Sequence, residues 1–204
     1  MSPRSGRALA VMALAALLVA CGGPGATTGT SASPPSASAP PPAKSAKSVS
    51  AVGRSIPVGL RIPAIGVDTP VMKLGLAADG SVQVPPIAAH DRAGWYEHSP
   101  TPGQTGPSVI LGHVTVGAYG DGVFRRLGEL HRGEKIVTRL ENGTAAVFAV
   151  TEVRTVAKAH FPSAEVYGNV NRPELRLITC GGKRTGDGYL DNVIVFATLS
   201  SAGP

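Results

Sequence analysis

From residue 56 to residue 199 the chain breaks into short runs of β-branched and aliphatic residues, and nowhere in that stretch does a helical period persist for ten to fifteen positions. The runs fall at 56–62, 69–74, 81–84, 108–114, 135–140, 145–156, 175–180 and 193–199, and are read as strands. Glycine pairs such as Asp79-Gly80, Asn142-Gly143 and Gly181-Gly182 stand between them as turn signals. Asn142-Gly143, flanked by two such runs, is the strongest hairpin signal of the set. Only 123–130 and 163–167 read as short helical turns. Strands without intervening helices exclude a doubly wound α/β fold and predict an all-β domain, a closed barrel or a sandwich.

The rest of the chain has a different texture. Residues 22–50 are Gly, Ala, Ser, Thr or Pro throughout, apart from Lys44, Lys47 and Val49. Such a stretch cannot bury enough apolar surface to offset the entropy of ordering it, so it is read as a linker. Ahead of it stand Arg4 and Arg7, an apolar run at 8–20, and Cys21. That run is too short to cross a hydrocarbon core, which takes about 20 residues, and is read as a secretory signal. Leu18-Val19-Ala20-Cys21 resembles the bacterial lipobox, which implies cleavage before Cys21 and a lipid on its thiol. The expected organisation is therefore a lipoprotein-type signal peptide at 1–20, a disordered linker at 21–53 and one folded domain at 54–200.

Charge has to be read against that division. The formal charge of +6 invites a nucleic-acid reading, but four of the 19 basic residues lie in the first 50 positions, which hold no carboxylate. Fifteen basic residues then face all 13 acidic ones in the folded part, a surplus of two. The basicity belongs to the leader and tether, and no nucleic-acid partner is predicted.

With Cys21 assigned to lipid, Cys180 is the one remaining thiol in a domain expected to face an oxidising exterior. It is either a small buried hydrophobe or a nucleophile. It closes the run Leu175-Arg176-Leu177-Ile178-Thr179, and Gly181-Gly182 after it leaves the backbone uncrowded, so it is read at a strand terminus facing a cleft. A thiol of ordinary pKa near 8.5 needs a base or positive charge beside it to react at neutral pH. The chain offers His90, His98, His113, His131 and His160, of which only His113 also closes an apolar strand, Val109-Ile110-Leu111-Gly112.

Arg176-Leu177-Ile178-Thr179-Cys180 resembles the sortase TLxTC strand motif, with Arg176 where the first Thr usually stands. Leu111-Gly112-His113-Val114 is similar to the sortase strand that bears the histidine. Together with Ala93-Gly94-Trp95-Tyr96, Val123-Phe124-Arg125-Arg126-Leu127 and Tyr189-Leu190-Asp191-Asn192-Val193, these segments resemble the actinobacterial class F sortases. The resemblance implies an eight-stranded β-barrel with one or two short helices and a cysteine transpeptidase. Cys180 is its implied nucleophile and His113 its acid and base. The implied partners are secreted proteins with a C-terminal LPxTG-like signal, a peptidoglycan precursor amine and the cytoplasmic membrane, which the N-terminus meets on its outer face. A monomer is expected.

The resemblance also implies an arginine on or just before the last strand, but 189–199 contains none and Leu190 stands near its place. Asn192, Arg184 and Arg126 are the candidates to position substrate or oxyanion instead. Trp95, the single tryptophan, is read as filling a barrel end. No histidine has metal-ligand spacing and the loop aspartates Asp68, Asp79, Asp91 and Asp121 lack an EF-hand pattern, so neither metal nor cofactor is predicted. A different class of function, a non-catalytic envelope lipoprotein that binds or scaffolds, shares the lipobox and would account for the missing arginine. Replacing Cys21 by Ser is predicted to abolish incorporation of radiolabelled palmitate into the full chain; undiminished labelling would refute the lipid anchor.

Overall fold

The computed structural model describes residues 49–186 and 188–204; the signal, Cys21 and most of the linker lie outside them. Eight strands close into one barrel in the order β1-β2-β3-β4-β7-β8-β6-β5. They are β1 Pro57–Ile62, β2 Val67–Leu74, β3 Ala93–Tyr96, β4 Gly106–Leu111, β5 Lys135–Leu140, β6 Ala145–Ala157, β7 Pro173–Thr185 and β8 Gly188–Gly203. One α-helix, α1 Ser163–Tyr167, and a few 3-10 turns complete the fold. The sheet is mixed: β2–β3 and β4–β7 pair in parallel, and every other neighbouring pair is antiparallel.

Most of this follows from local sequence. Asn142-Gly143 makes the β5–β6 turn, where the Leu140 amide donates to the Thr144 carbonyl at 2.8 Å. The 123–130 segment supplies the 3-10 turn Leu127–Glu129, and 163–167 is α1. Two expectations need correction. Residues 81–84 form no barrel strand, only an isolated bridge between Leu76 and Val82, and the third strand is Ala93–Tyr96. That strand is short, and Gly94 and Trp95 give it no alternation of apolar and polar residues to read. Nor does the chain turn at Gly181-Gly182, because β7 continues to Thr185 through a bulge between Gly181 and Arg184. Gly182 takes φ +70 there, and a Cβ at that position would stand 1.9 Å from the Asp191 carboxylate, so the pair marks a bulge rather than a strand end.

Alternation sorts the side chains. Leu175 and Leu177 of β7, Val193, Val195 and Ala197 of β8 and Ile110 of β4 enter the barrel core with Leu60, Ile62, Phe124, Ile136 and Phe148. Trp95 belongs to that core, 1% exposed, and its indole donates to the Pro100 carbonyl at 3.2 Å. The opposite parity forms a second cluster on the outer wall, where Val109, Ile178, Ile194 and Phe196 pack beneath Val166 of α1. β7 is thus covered on both faces, which is why its sequence reads as a nearly continuous apolar run.

Arg176 is the exception in that run. It is 3% exposed, its guanidinium donates to the Glu174 carboxylate and the Glu165 carbonyl of α1, and it lies 4.6 Å from the centre of the Phe196 ring. Glu174, itself 4% exposed, also binds Arg172. Arg176→Ala would leave the Glu174 carboxylate with one partner while still buried. It is predicted to cost about 3 kcal/mol of stability, read from urea unfolding of the full chain.

Candidate active site

Cys180 lies on β7, and His113 follows the end of β4, the strand that pairs with it. Along the parallel β4–β7 ladder Leu111 lies beside Ile178, and the Gly112 amide continues it by donating to the Ile178 carbonyl at 3.1 Å. Two residues past that last pair come His113 on one segment and Cys180 on the other, so each follows the end of the same ladder by two positions. Cys180 is half-buried and shares the parity of Ile178, so it belongs to the outer wall.

His113 is held from two sides. The Phe124 amide donates to its carbonyl at 2.9 Å, and Gly122 packs so tightly on the same group that a Cβ there would lie 2.3 Å from its oxygen. Its Nε2 meets the Pro85 carbonyl at 2.6 Å. A carbonyl only accepts, so Nε2 carries a proton and, in the neutral ring, Nδ1 is bare.

The two residues line different clefts. Cys180 borders one of about 260 Å³ together with Thr179, Gly181, Tyr189, Phe124 and Arg126. His113 borders another of about 440 Å³ with Ile87, Thr115, Val116 and Tyr119. The hydroxyls of Thr115 and Tyr189 are 3.1 Å apart and tie the edge of one cleft to the edge of the other.

The three candidates for the missing arginine's place are separated. Asn192 is the antiparallel partner of Cys180 across β7–β8, so its amide shares the outer face with the thiol. Arg126 borders the Cys180 cleft but is engaged by Glu129 at 2.7 Å. The hydrogen bond and then the charge of Glu129 raise the Arg126 pKa, and the same hydrogen bond holds Glu129 below the usual carboxylate range. Arg184 lies beyond the bulge, exposed, opposite Tyr189. Leu190 is half exposed at 51% on β8, which begins earlier than sequence suggested.

Of the other histidines, His90 stacks on Tyr119 and His98 meets the edge of Tyr96, while His131 and His160 are exposed. Among the described residues no three or more His, Cys, Asp or Glu side chains gather as a metal site would require. Sequence reasoning missed Pro85 and Tyr189. A backbone acceptor leaves no signature in residue type, and Tyr189 gains its place only from the β7–β8 register.

The family model for the sortase domain matches residues 60–200. The chain belongs to the sortase family. Membership implies a cysteine transpeptidase acting on sorting signals, and sortases are extracytoplasmic and membrane-anchored. Among solved structures this sortase is similar to the SrtA sortase from Actinomyces oris, at 28% identity and a TM-score of 0.54, over 78% of this chain and 89% of that one. It also resembles Listeria monocytogenes sortase A, at 20% identity and 0.54 over 72% and 88%. Sortase C-1 from Actinomyces oris shares 18% identity at 0.54 over 69% and 72%. The last two likenesses are of fold alone. No curated protein sequence matches the chain.

Gly122 gives the site a direct test. Gly122→Ala must push the His113 backbone aside, and a displacement near 1 Å costs about 10²-fold in turnover of a sorting-signal peptide. Turnover equal to wild type would show that this contact does not set the histidine.

Proposed function

We propose that this sortase is a class F enzyme that cleaves an LPxTG-like signal through Cys180 and passes the acyl group to a cell-wall amine, with Cys21 lipidated to hold it on the outer face of the membrane. The observation that carries the reading is the β4–β7 ladder, whose last pair both His113 and Cys180 follow by two residues. The cleft that Cys180 borders supports it: Phe124, Tyr189 and Val193 wall it beside Gly181 and Gly182, an approach for an extended peptide.

In the proposed reaction the Cys180 thiolate attacks the Thr carbonyl, and the imidazolium of His113 gives its Nδ1 proton to the glycine nitrogen as the Thr–Gly bond breaks. Nε2–H stays on the Pro85 carbonyl, which orients the ring through the transfer. A thioester and a free amine result. The acceptor amine then adds to the thioester carbonyl, gives a proton back to Nδ1 and expels the thiolate, regenerating both groups. Asn192, opposite the nucleophile, is the proposed donor to the oxyanion in place of arginine; its neutral amide forms a weaker bond than a guanidinium would.

Incubation with a fluorogenic LPxTG-type peptide and an amine acceptor tests this. Wild type should cleave and form a thioester visible by mass spectrometry, and Cys180→Ala and His113→Ala should do neither. Asn192→Ala should slow cleavage by about 10²-fold, the scale of losing one oxyanion donor. A wild type that forms no adduct with a panel of such peptides would leave the non-catalytic envelope lipoprotein as the reading.

A further inference from the structure

We infer that Tyr189 and Thr115 are positioning residues: their hydroxyls, 3.1 Å apart, hold the segment that bears His113 against the strand pair that bears Cys180. This rests on the transpeptidase reading, which supplies the two groups to be positioned, and adds the tie that sets them.

The β4–β7 ladder stops short of both groups. Leu111 beside Ile178 is its last pair, and the Gly112 amide, donating to the Ile178 carbonyl, makes the last backbone bond between those segments among the described residues. Beyond it the two chains part. β7 stays paired with β8 through Cys180 opposite Asn192, past the bulge and on to Arg184 opposite Tyr189. The chain after His113 folds back on itself instead: Thr115 is bridged to Asp121, the Val116 amide donates to the Gly120 carbonyl and the Gly122 amide to the Val114 carbonyl. Among the described residues, the Thr115–Tyr189 contact is the one side-chain hydrogen bond that joins this folded-back segment to β7 or β8.

Both ends of the tie are well placed for that work. Thr115 is two residues past His113, so a restraint on its hydroxyl acts close to the imidazole. Tyr189 belongs to β8, and the register that sets Asn192 opposite Cys180 also places its phenol. Thr115 is stiff at χ1, and the Tyr189 ring is lodged in the cleft wall with Phe124 and Val193, so little rotamer freedom is lost when the hydroxyls meet. Both residues are half-buried, which strengthens the bond against competing water. The Pro85 carbonyl also holds the His113 ring, but Pro85 stands on the segment between β2 and β3 and not on the strands of Cys180. Tyr189 thus has two separable parts. Its ring walls the Cys180 cleft and bears on substrate binding, whereas its hydroxyl bears on the geometry of the reacting groups.

The test compares Tyr189→Phe, Thr115→Val, the double variant and Thr115→Ser in the full chain, with one LPxTG-type peptide and an amine acceptor. Tyr189→Phe and Thr115→Val each remove a hydroxyl and keep the bulk. Each is expected to lower kcat about tenfold, the scale of one hydrogen bond, with KM unchanged. The double variant is expected to lose no more than either single change, because one tie can be broken only once, and Thr115→Ser, which restores the hydroxyl, to recover most of the wild-type kcat. Single variants with wild-type kcat, or a double variant whose loss is the product of the single losses, overturn the positioning role while thioester formation leaves the transpeptidase standing. A rise in KM alone makes Tyr189 a wall of the cleft and overturns the positioning role as well. A wild type without thioester overturns both readings.

Discussion

Parallel pairing of β4 with β7 is the constraint on which the rest of the molecule depends. The ladder runs from Gly106 beside Pro173 to Leu111 beside Ile178 and carries three different tasks along its length. Inward, Ile110 and Leu177 fill the barrel. Outward, Val109 and Ile178 make the wall that α1 covers. Two residues past its end come His113 on one segment and Cys180 on the other. A slip of one residue would turn every one of these side chains to the opposite face, so the packing that stabilises the barrel also fixes the register of the segments that carry His113 and Cys180.

Rigid and adaptable parts are divided accordingly. Cys180 and Asn192 lie on paired strands, and their relation is set by the β7–β8 ladder. His113 lies just past the end of β4, and its place depends on loop contacts to Pro85, Phe124 and Gly122. Cys180 is therefore fixed by the sheet, while His113 is held by the segments that also shape the two clefts.

The sequence made the barrel legible because its strands are short, β-branched and broken by glycine. β5 and α1 coincide with the runs seen at 135–140 and 163–167. The placement of Cys180 and His113 at the ends of two apolar runs was also readable. Long-range pairing is what local pattern could not carry. It made a strand of 93–96 instead of 81–84, and it drew Gly182 into a bulge because Asp191 lies across from it. Asn192 and Arg184 looked alike from sequence, and only the register opposite Cys180 separates them. Pro85 was invisible, since its part is played by a carbonyl that any residue would have.

The crossover between β4 and β7 contains β5, β6 and α1, so the ladder joins segments distant in the chain, and closing such a contact is slow relative to forming local hairpins. β5–β6 and β7–β8, each a sequence-local pair, can assemble while His113 is still remote from Cys180. The segments that carry His113 and Cys180 are therefore brought together by the long-range step of folding rather than by a local hairpin.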